Sequence, residues 1–502
     1  MPPLRRVLIA NRGEIAVRII RACHEEGLEA VAVYSEADAG SLHLRLADAA
    51  VEIGPAPAAE SYLNVERLLA AARASGADAI HPGYGFLSER ASFASAVTGA
   101  GLVFVGPPAA AIAAMGEKTE ARRRMTAAGV PVVPGTTEPV TSLAGARAAA
   151  KDIGYPILLK AAAGGGGKGM RRVTGPGALK AAMEQASSEA LKAFGDGSVY
   201  IERLLERPRH VEIQVLADQH GTVMHLGERE CSVQRRHQKL IEEAPSPGTT
   251  AEMRAAMGEA AVQAARSVGY TGAGTVEFLV DSGGRFFFLE MNTRIQVEHP
   301  VTEMVYGIDL VRAQLRIAAG DRLPPPTRSL TPRGHAIECR ITSEDPFNDF
   351  LPATGRVEFL QVPGGPGVRW DGGIESGSEV TRYYDPLLGK LIVWAESRER
   401  ALARMRRALT ELMIVGIPTS QPFHLRVLAE GEFASGQYDI TYLERRGAEL
   451  LGAPDDALLE AAAIALALAQ DARRDTGLPA EPHRTAVSDG AWLRFARTDG
   501  LR

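Results

Sequence analysis

The sequence predicts an α/β protein that opens on a parallel sheet. Three observations predict it. Short apolar runs at 7–10, 30–34 and 77–81 read as buried strands. Between them lie stretches of helical periodicity, with Ile15, Ala16, Ile19, Ala22 and Cys23 on one face. Gly27 and Gly76 stand where those helices must end. Strand–helix–strand order of this kind implies parallel pairing with right-handed crossovers.

Taken in order, Asn11 reads as the cap of the first helix, with Glu14 three residues on as its capping-box partner. Ser61 reads as the start of the next helix. The first turn, Asn11-Arg12-Gly13, is no G-x-G-x-x-G, so a dinucleotide site is not signalled. A charged helix is predicted over 117–127, and the prolines at 131 and 134 break it. An alanine-rich helix, a strand at 156–160 and a glycine run follow. Residues 206–318 read as strands, a helix over 251–268, and strands again through 286–290. Four prolines within 323–332 mark a linker. Beyond it come an alternating strand at 335–341 and helices over 398–413 and 421–430. A nearly all-apolar helix is expected over 455–470, in a tail of 447–502.

Composition narrows the function classes. The chain has 502 residues, room for about three domains. Hydrophobic residues are 45% and charged residues 23%, which excludes disorder as the main state. A formal net charge of −5 gives no global basic excess for nucleic acid. Cys23, Cys231 and Cys339 are too widely spaced for a zinc site or a disulfide framework, and a reduced, cytoplasmic chain is expected. The longest apolar stretch is about half of the ~20 residues that span a bilayer, so no membrane segment is expected.

Chemistry concentrates in a few stretches. Lys160 precedes Ala161-Ala162-Ala163 and the run Gly164-Gly165-Gly166-Gly167-Lys168-Gly169. Bare backbone amides can wrap phosphate oxygens, and a lysine adds a point charge. A surface hairpin is the bland alternative; Lys160 at a strand end favours nucleotide. It is not a Walker A loop, because no Gly-Lys-Ser/Thr opens a helix. Glu277 and Glu290 each sit in an apolar strand, and Asp281-Ser282-Gly283-Gly284 between them reads as a hairpin turn. Paired carboxylates beside Asn292 suit Mg²⁺, which takes oxygen ligands and shares them with phosphates. Arg294, Gln296 and Glu298 alternate; if extended, they share one face. A guanidinium fork, an amide and a carboxylate then suit a small oxyanion and removal of its proton. Cys231 lacks the partners of a nucleophile and reads as structural. His81-Pro82-Gly83-Tyr84-Gly85, after a strand, reads as a ligand-facing loop.

With these motifs in order, the sequence resembles the biotin carboxylase family of the ATP-grasp superfamily. The resemblance spans about residues 4–446. It rests on Asn11-Arg12-Gly13-Glu14, His81 to Glu89, the Lys160 glycine loop, Arg209 to Gln214, Gln234 to Lys239, and Glu290 to Thr302. It implies a Rossmann-like N-terminal domain (1–115), an ATP-grasp domain (116–322, with a mobile lid near 132–204) and an α/β C-terminal domain (335–446).

It also implies that MgATP (or MnATP) phosphorylates bicarbonate and that biotin, borne by a separate carrier protein, is carboxylated. By position, Lys118, Lys160, Gly166, Gly167, Glu202, Arg203, Leu204, Leu205, His210, Gln234, His237, Glu277 and Glu290 are implied for ATP. Glu277, Glu290 and Asn292 are implied for the metal. Lys239, Arg294, Gln296 and the amide of Val297 are implied for bicarbonate, Glu298 as the base, and Arg340 for the biotin oxyanion. The expected partners are a biotin carboxyl carrier protein, carboxyltransferase subunits and a second copy in a homodimer. The tail is a candidate docking segment or a helix packed back on its own chain. The alternatives are another ATP-grasp carboxylate ligase or a silent nucleotide-binding scaffold.

Overall fold

The computed structural model describes residues 4–136, 138–161, 170–194, 197–324, 331–452, Glu460, 463–464 and 467–468. Met1–Leu451 form one compact unit and Gly452–Arg502 a second. Gly166, Gly167 and most of the expected 455–470 helix lie outside the described residues.

The N-terminal sheet has β1 (Arg6–Ile9), β2 (Glu29–Ser35), β3 (Ala49–Gly54), β4 (Ala79–His81) and β5 (Val103–Phe104) in the order β3-β2-β1-β4-β5. Every pair is parallel, as strand–helix alternation requires. Leu8, Val31, Val33 and Ile80 pack one face against Leu68, Phe93 and Val97. Gly76 ends the helix Val65–Ser75 at φ 66°, a left-handed conformation that favours glycine.

Two helix starts differ from expectation. Asn11 does not cap the helix Gly13–Glu25; Arg12 holds that position, with no side-chain cap bond. The Asn11 amide instead donates to the carbonyls of Pro82 (2.8 Å) and Tyr84 (2.7 Å), tying β1 to the loop after β4. Ser61 starts no helix either. Asn64 caps Val65–Ser75, its side chain accepting from the Arg67 amide at 3.1 Å. Both asparagines bond neighbouring backbone groups, and tertiary context decides which.

A small antiparallel sheet, β6 (Ile157–Ala161), β7 (Arg171–Val173) and β8 (Val199–Arg203), runs β7-β6-β8. It has its own core, with Ile157, Leu159 and Ile201 against Ala146, Ala150 and Met183 of the helices Leu143–Ile153 and Leu179–Phe194.

The third sheet has eight strands. They include β9 (Arg209–Ala217), β10 (Val223–Arg235), β11 (Gln238–Ala244), β12 (Gly272–Val280), β13 (Phe286–Asn292) and β14 (His335–Thr342). The order is β13-β12-β9-β10-β11-β14, then Leu387–Ala395, then Val368–Gly372. All these neighbours pair antiparallel. One sheet therefore runs unbroken from the expected metal pair to Arg340. β14 does not alternate in and out; seven of its eight residues are buried, because both faces are covered. The helix expected to reach Met413 ends at Glu411, and Met413 opens a short strand against Phe359–Gln361.

No helix among the described residues is long and apolar enough to cross a membrane.

Candidate active site

The hairpin of β12 and β13 sets the first pair. Asp281 caps its turn, accepting from the amides of Gly283 (2.9 Å) and Arg285 (3.0 Å). That register puts Glu277 directly opposite Glu290, so both carboxylates leave the same side of the sheet. Asn292 donates to Glu277 Oε1 at 2.9 Å. On the other side of β12, Glu277 stands opposite Glu212 of β9, and His210 Nε2 lies 3.0 Å from Glu277 Oε2.

Lys239 of β11 joins three carboxylates. Its Nζ bonds Glu212 at 2.6 Å, Glu298 at 2.7 Å and Glu277 at 2.9 Å. β11 is three strands from β12. Side chains standing upright on a flat sheet would stay about 14 Å apart over that distance. Here they do not stand upright, and they meet. Register shifts in β10, at His225/Glu228 and at Glu230/Val233, interrupt the regular ladder between these strands.

Arg294, Gln296 and Glu298 meet as expected, but not on an extended strand. β13 ends at Asn292, residues 293–294 bend, 295–296 are irregular, 297–298 turn, and Glu298 caps the helix His299–Tyr306. Side-chain bonds replace the period-two face. Arg294 donates to Gln296 Oε1 (2.8 Å), Asn292 Oδ1 (3.1 Å) and Glu89 Oε2 (2.9 Å). Gln296 donates to Glu277 Oε1 at 3.1 Å. Glu298, 0% exposed, accepts from Lys239 on one oxygen and from Arg340 on the other at 3.0 Å. Arg340 also donates to Glu242 Oε1 at 2.6 Å.

Charge follows this geometry. Burial pushes Glu298 up, but Lys239, Arg340 and Arg229 outweigh it and hold the carboxyl well below the usual range. Burial likewise opposes ionisation of Glu277, and Lys239 and His210 reverse it. Glu290 goes the other way; burial and then the charge of Glu277 raise it. Glu242 is pushed up to about 7 by burial, against the pull of Arg340. Lys239 is held well above its ordinary value, because Glu212, Glu277 and Glu298 outweigh its desolvation.

A cavity of about 690 Å³ opens beside the pair. Lys118, Lys160, Glu202, Glu290 and Asn292 line it. Lys118 begins the helix Lys118–Ala127, and Lys160 lies 2.5 Å from Glu202 across β6 and β8. The amide of Arg203 donates to the Pro134 carbonyl (2.8 Å) and that of Leu204 to the Pro156 carbonyl (2.9 Å), fixing this edge and Leu205 after it. Gln234 pairs with Lys239 across a hairpin whose two loop residues, Arg236 and His237, both have positive φ (49° and 67°). His237 and Arg203 are exposed, and neither belongs to the bonded cluster.

The sequence reasoning missed four partners: the exposed Glu89 and the buried Glu212, Arg229 and Glu242. Arg229, 0% exposed, donates to Glu212 (2.5 Å), Gln214 (2.6 Å), Thr302 and Thr275 (both 3.0 Å). A signal existed. His210, Glu212 and Gln214 alternate with Val211, Ile213 and Val215. That pattern reads as a solvated strand face, whereas here the polar face lines the site. Cys231 is buried, with Sγ 3.9 Å from Glu298 Oε1. Burial and the nearby Glu212 raise its thiol well above the ordinary value, which disfavours the thiolate and fits a structural residue.

The donors of the hairpin pair are hard oxygens, and Glu290, raised by burial and by the charge of Glu277, would hold its own charge more readily beside a cation. Both properties fit a divalent cation such as Mg²⁺.

Known proteins resemble this chain in sequence and fold. Three family models match in series: "Biotin carboxylase, N-terminal domain" over 3–112, "Carbamoyl-phosphate synthase L chain, ATP binding domain" over 117–325, and "Biotin carboxylase C-terminal domain" over 338–445. A biotin carboxylase from Nostoc sp. is 52% identical over 439 residues, covering 88% of this chain and 98% of that one. A pyruvate carboxylase component from Methanothermobacter thermautotrophicus is 51% identical over 444 residues, covering 88% and 90%. The biotin carboxylase domain dimer of Hydrogenobacter thermophilus 2-oxoglutarate carboxylase was solved with MgADP, ADP and bicarbonate. It superposes with a TM-score of 0.84 at 46% identity, covering 91% of this chain and all of that one. Fold and kinship agree, and the chain belongs to the biotin carboxylase family.

Proposed function

We propose that this chain carboxylates biotin with ATP and bicarbonate, and that the Lys239–Glu298–Arg340 cluster performs the step. The observation that carries the reading is Glu298, held ionised between one cation that reaches the metal pair and another that reaches away from it.

The cavity takes ATP. Lys118 and Lys160 offer point charges to phosphates, with the Gly166 and Gly167 loop as their cover. The 202–205 edge, His210, Gln234 and His237 serve the rest of the nucleotide. Glu277, Glu290 and Asn292 hold Mg²⁺, which supplies charge neutralisation at the phosphates when bound. Lys239, Arg294, Gln296 and the Val297 amide orient bicarbonate. Glu298 takes its proton as a bicarbonate oxygen attacks the γ-phosphorus; ADP leaves and carboxyphosphate forms. Carboxyphosphate breaks to CO₂ and phosphate, and the phosphate accepts the N–H proton of the ureido ring. The ring nitrogen then attacks CO₂, and Arg340 stabilises the charge on the ureido oxygen.

When ligands redirect Lys239 and Arg340, Glu298 loses the charges that depress it and becomes a stronger base. The resting cluster therefore keeps the base weak until substrates arrive.

The finer assignments belong to the same proposal. Three regions, 1–115, 116–322 and 335–446, act as domains, and 132–204 acts as the lid. Biotin comes on a carrier protein, and carboxyltransferase subunits use the product. The relatives carry names of different carboxylases, so the acceptor, acetyl-CoA or a related acyl-CoA, is chosen outside this chain. A homodimer is supported by the dimeric 2-oxoglutarate carboxylase domain. Three free, buried cysteines suit the reducing cytoplasm.

Purified chain with MgATP and free biotin tests the reading. Bicarbonate-dependent ADP release that biotin stimulates is expected; release indifferent to both overturns it.

A further inference from the structure

Lys390 belongs to no part of the machinery above. It lies on the strand Leu387–Ala395, directly opposite Arg340 of β14, and is 0% exposed. A lysine is almost never buried so fully unless paired. Its Nζ lies 3.1 Å from Glu14 Oε1 and donates to the carbonyl of Val297 at 2.9 Å. The Tyr84 hydroxyl donates to the same Glu14 oxygen. The buried carboxyls of Glu338 and Asp371 also feel this ammonium.

The Val297 carbonyl matters because of what shares its peptide. That peptide is planar, and its nitrogen is the backbone nitrogen of Glu298. Fixing the oxygen fixes the plane from which the Glu298 side chain departs. Residues 293–298 lie in no strand or helix, so no ladder holds this plane. The neighbouring turn bonds are long, His299 N–H to Gln296 O at 3.4 Å and Val301 N–H to Glu298 O at 3.3 Å.

We propose that Lys390 is a positioning residue, an ammonium clamp on the Val297–Glu298 peptide that sets where the Glu298 carboxylate stands between Lys239 and Arg340. Glu14 anchors the clamp. Side-chain cations hold the base at its tip, and Lys390 holds it at its root. The inference rests on Glu298 being the base.

Lys390→Met and the double variant Lys390→Met/Glu14→Gln, in the full chain, test it. The readouts are kcat, the KM values for ATP and bicarbonate, and the thermal midpoint. The single variant is expected to lose kcat on the order of 10²-fold, the scale of an ångström-level misplacement, and to keep the KM for ATP. It also leaves Glu14 buried without its cation, so its midpoint falls. The double variant removes that charge and is expected to regain the midpoint but not kcat. A double variant that regains both, or a single variant with normal kcat, overturns the clamp. Glu298→Gln is run beside them. If it keeps turnover, the assignment of the base has failed. If it loses turnover while the Lys390 variants keep theirs, only the clamp has failed.

Discussion

Glu298 and Lys239 are each held by several partners, so removing either has two separable effects. Glu298→Gln keeps the volume and loses the proton acceptor. Turnover is expected to fall by about 10²–10⁴-fold, the usual weight of a general base, with ATP binding intact by equilibrium titration. Lys239→Met does more. It leaves Glu212, Glu277 and Glu298 facing one another without the ammonium they share. Breaking a buried pair on one side costs about 3–5 kcal/mol. Denaturant unfolding should show a loss of that order, and bicarbonate-dependent ADP release should vanish. An unchanged unfolding midpoint would mean that the three carboxylates find other partners.

At the scale of elements, β11 does two jobs. Lys239 faces the reacting groups, while Glu243 ties the strand to the C-terminal helices. Glu243 accepts from His335 (2.6 Å), Arg398 (2.7 Å) and Tyr438. Burial opposes its charge, but His335 and Arg398 prevail and bring it from an ordinary 4.5 down to about 2. A folded value below the unfolded one gives stability that is whole above the unfolded value and lost as pH falls through the folded one. Glu243→Gln should therefore be less stable than the parent above pH 4.5, by a few kcal/mol, and the gap should close toward pH 2. A gap constant across that range counts against the linkage.

The same strands show what the sequence could disclose. The Glu277–Glu290 pairing was legible, because a turn signal between two apolar runs fixes the register. The convergence of Arg294, Gln296 and Glu298 was legible, but its cause was not. Alternation suggested a strand, and the structure uses bends with side-chain bonds. Glu212, Arg229, Glu242 and Lys390 were hidden for one reason. A charged residue on a strand reads as exposed, and only the fold shows that both faces of this sheet are covered. Asn11 and Ser61 were misread because short polar side chains serve caps and loops equally well.

For the molecule as a whole, every bonded group of the site lies within Met1–Leu451. Removing residues 453–502 should therefore leave biotin-stimulated ADP release unchanged with free biotin, measured by steady-state kinetics. If the tail docks partners, co-purification with carrier or transferase subunits is lost in the same truncation. A truncated chain with impaired turnover on free biotin would show that the tail supports the site itself. The sharing of Lys239 has one more consequence, for the fate of ATP. One ammonium bonds both Glu277 of the hairpin pair and Glu298, and Arg340 bonds Glu298 in turn, so the groups proposed for phosphate and for the biotin oxyanion belong to one bonded chain. On that proposal an unstable acyl phosphate is born within reach of its acceptor. A variant that loosened this chain of bonds would then uncouple the enzyme, so that it burns ATP to make nothing but phosphate and gas.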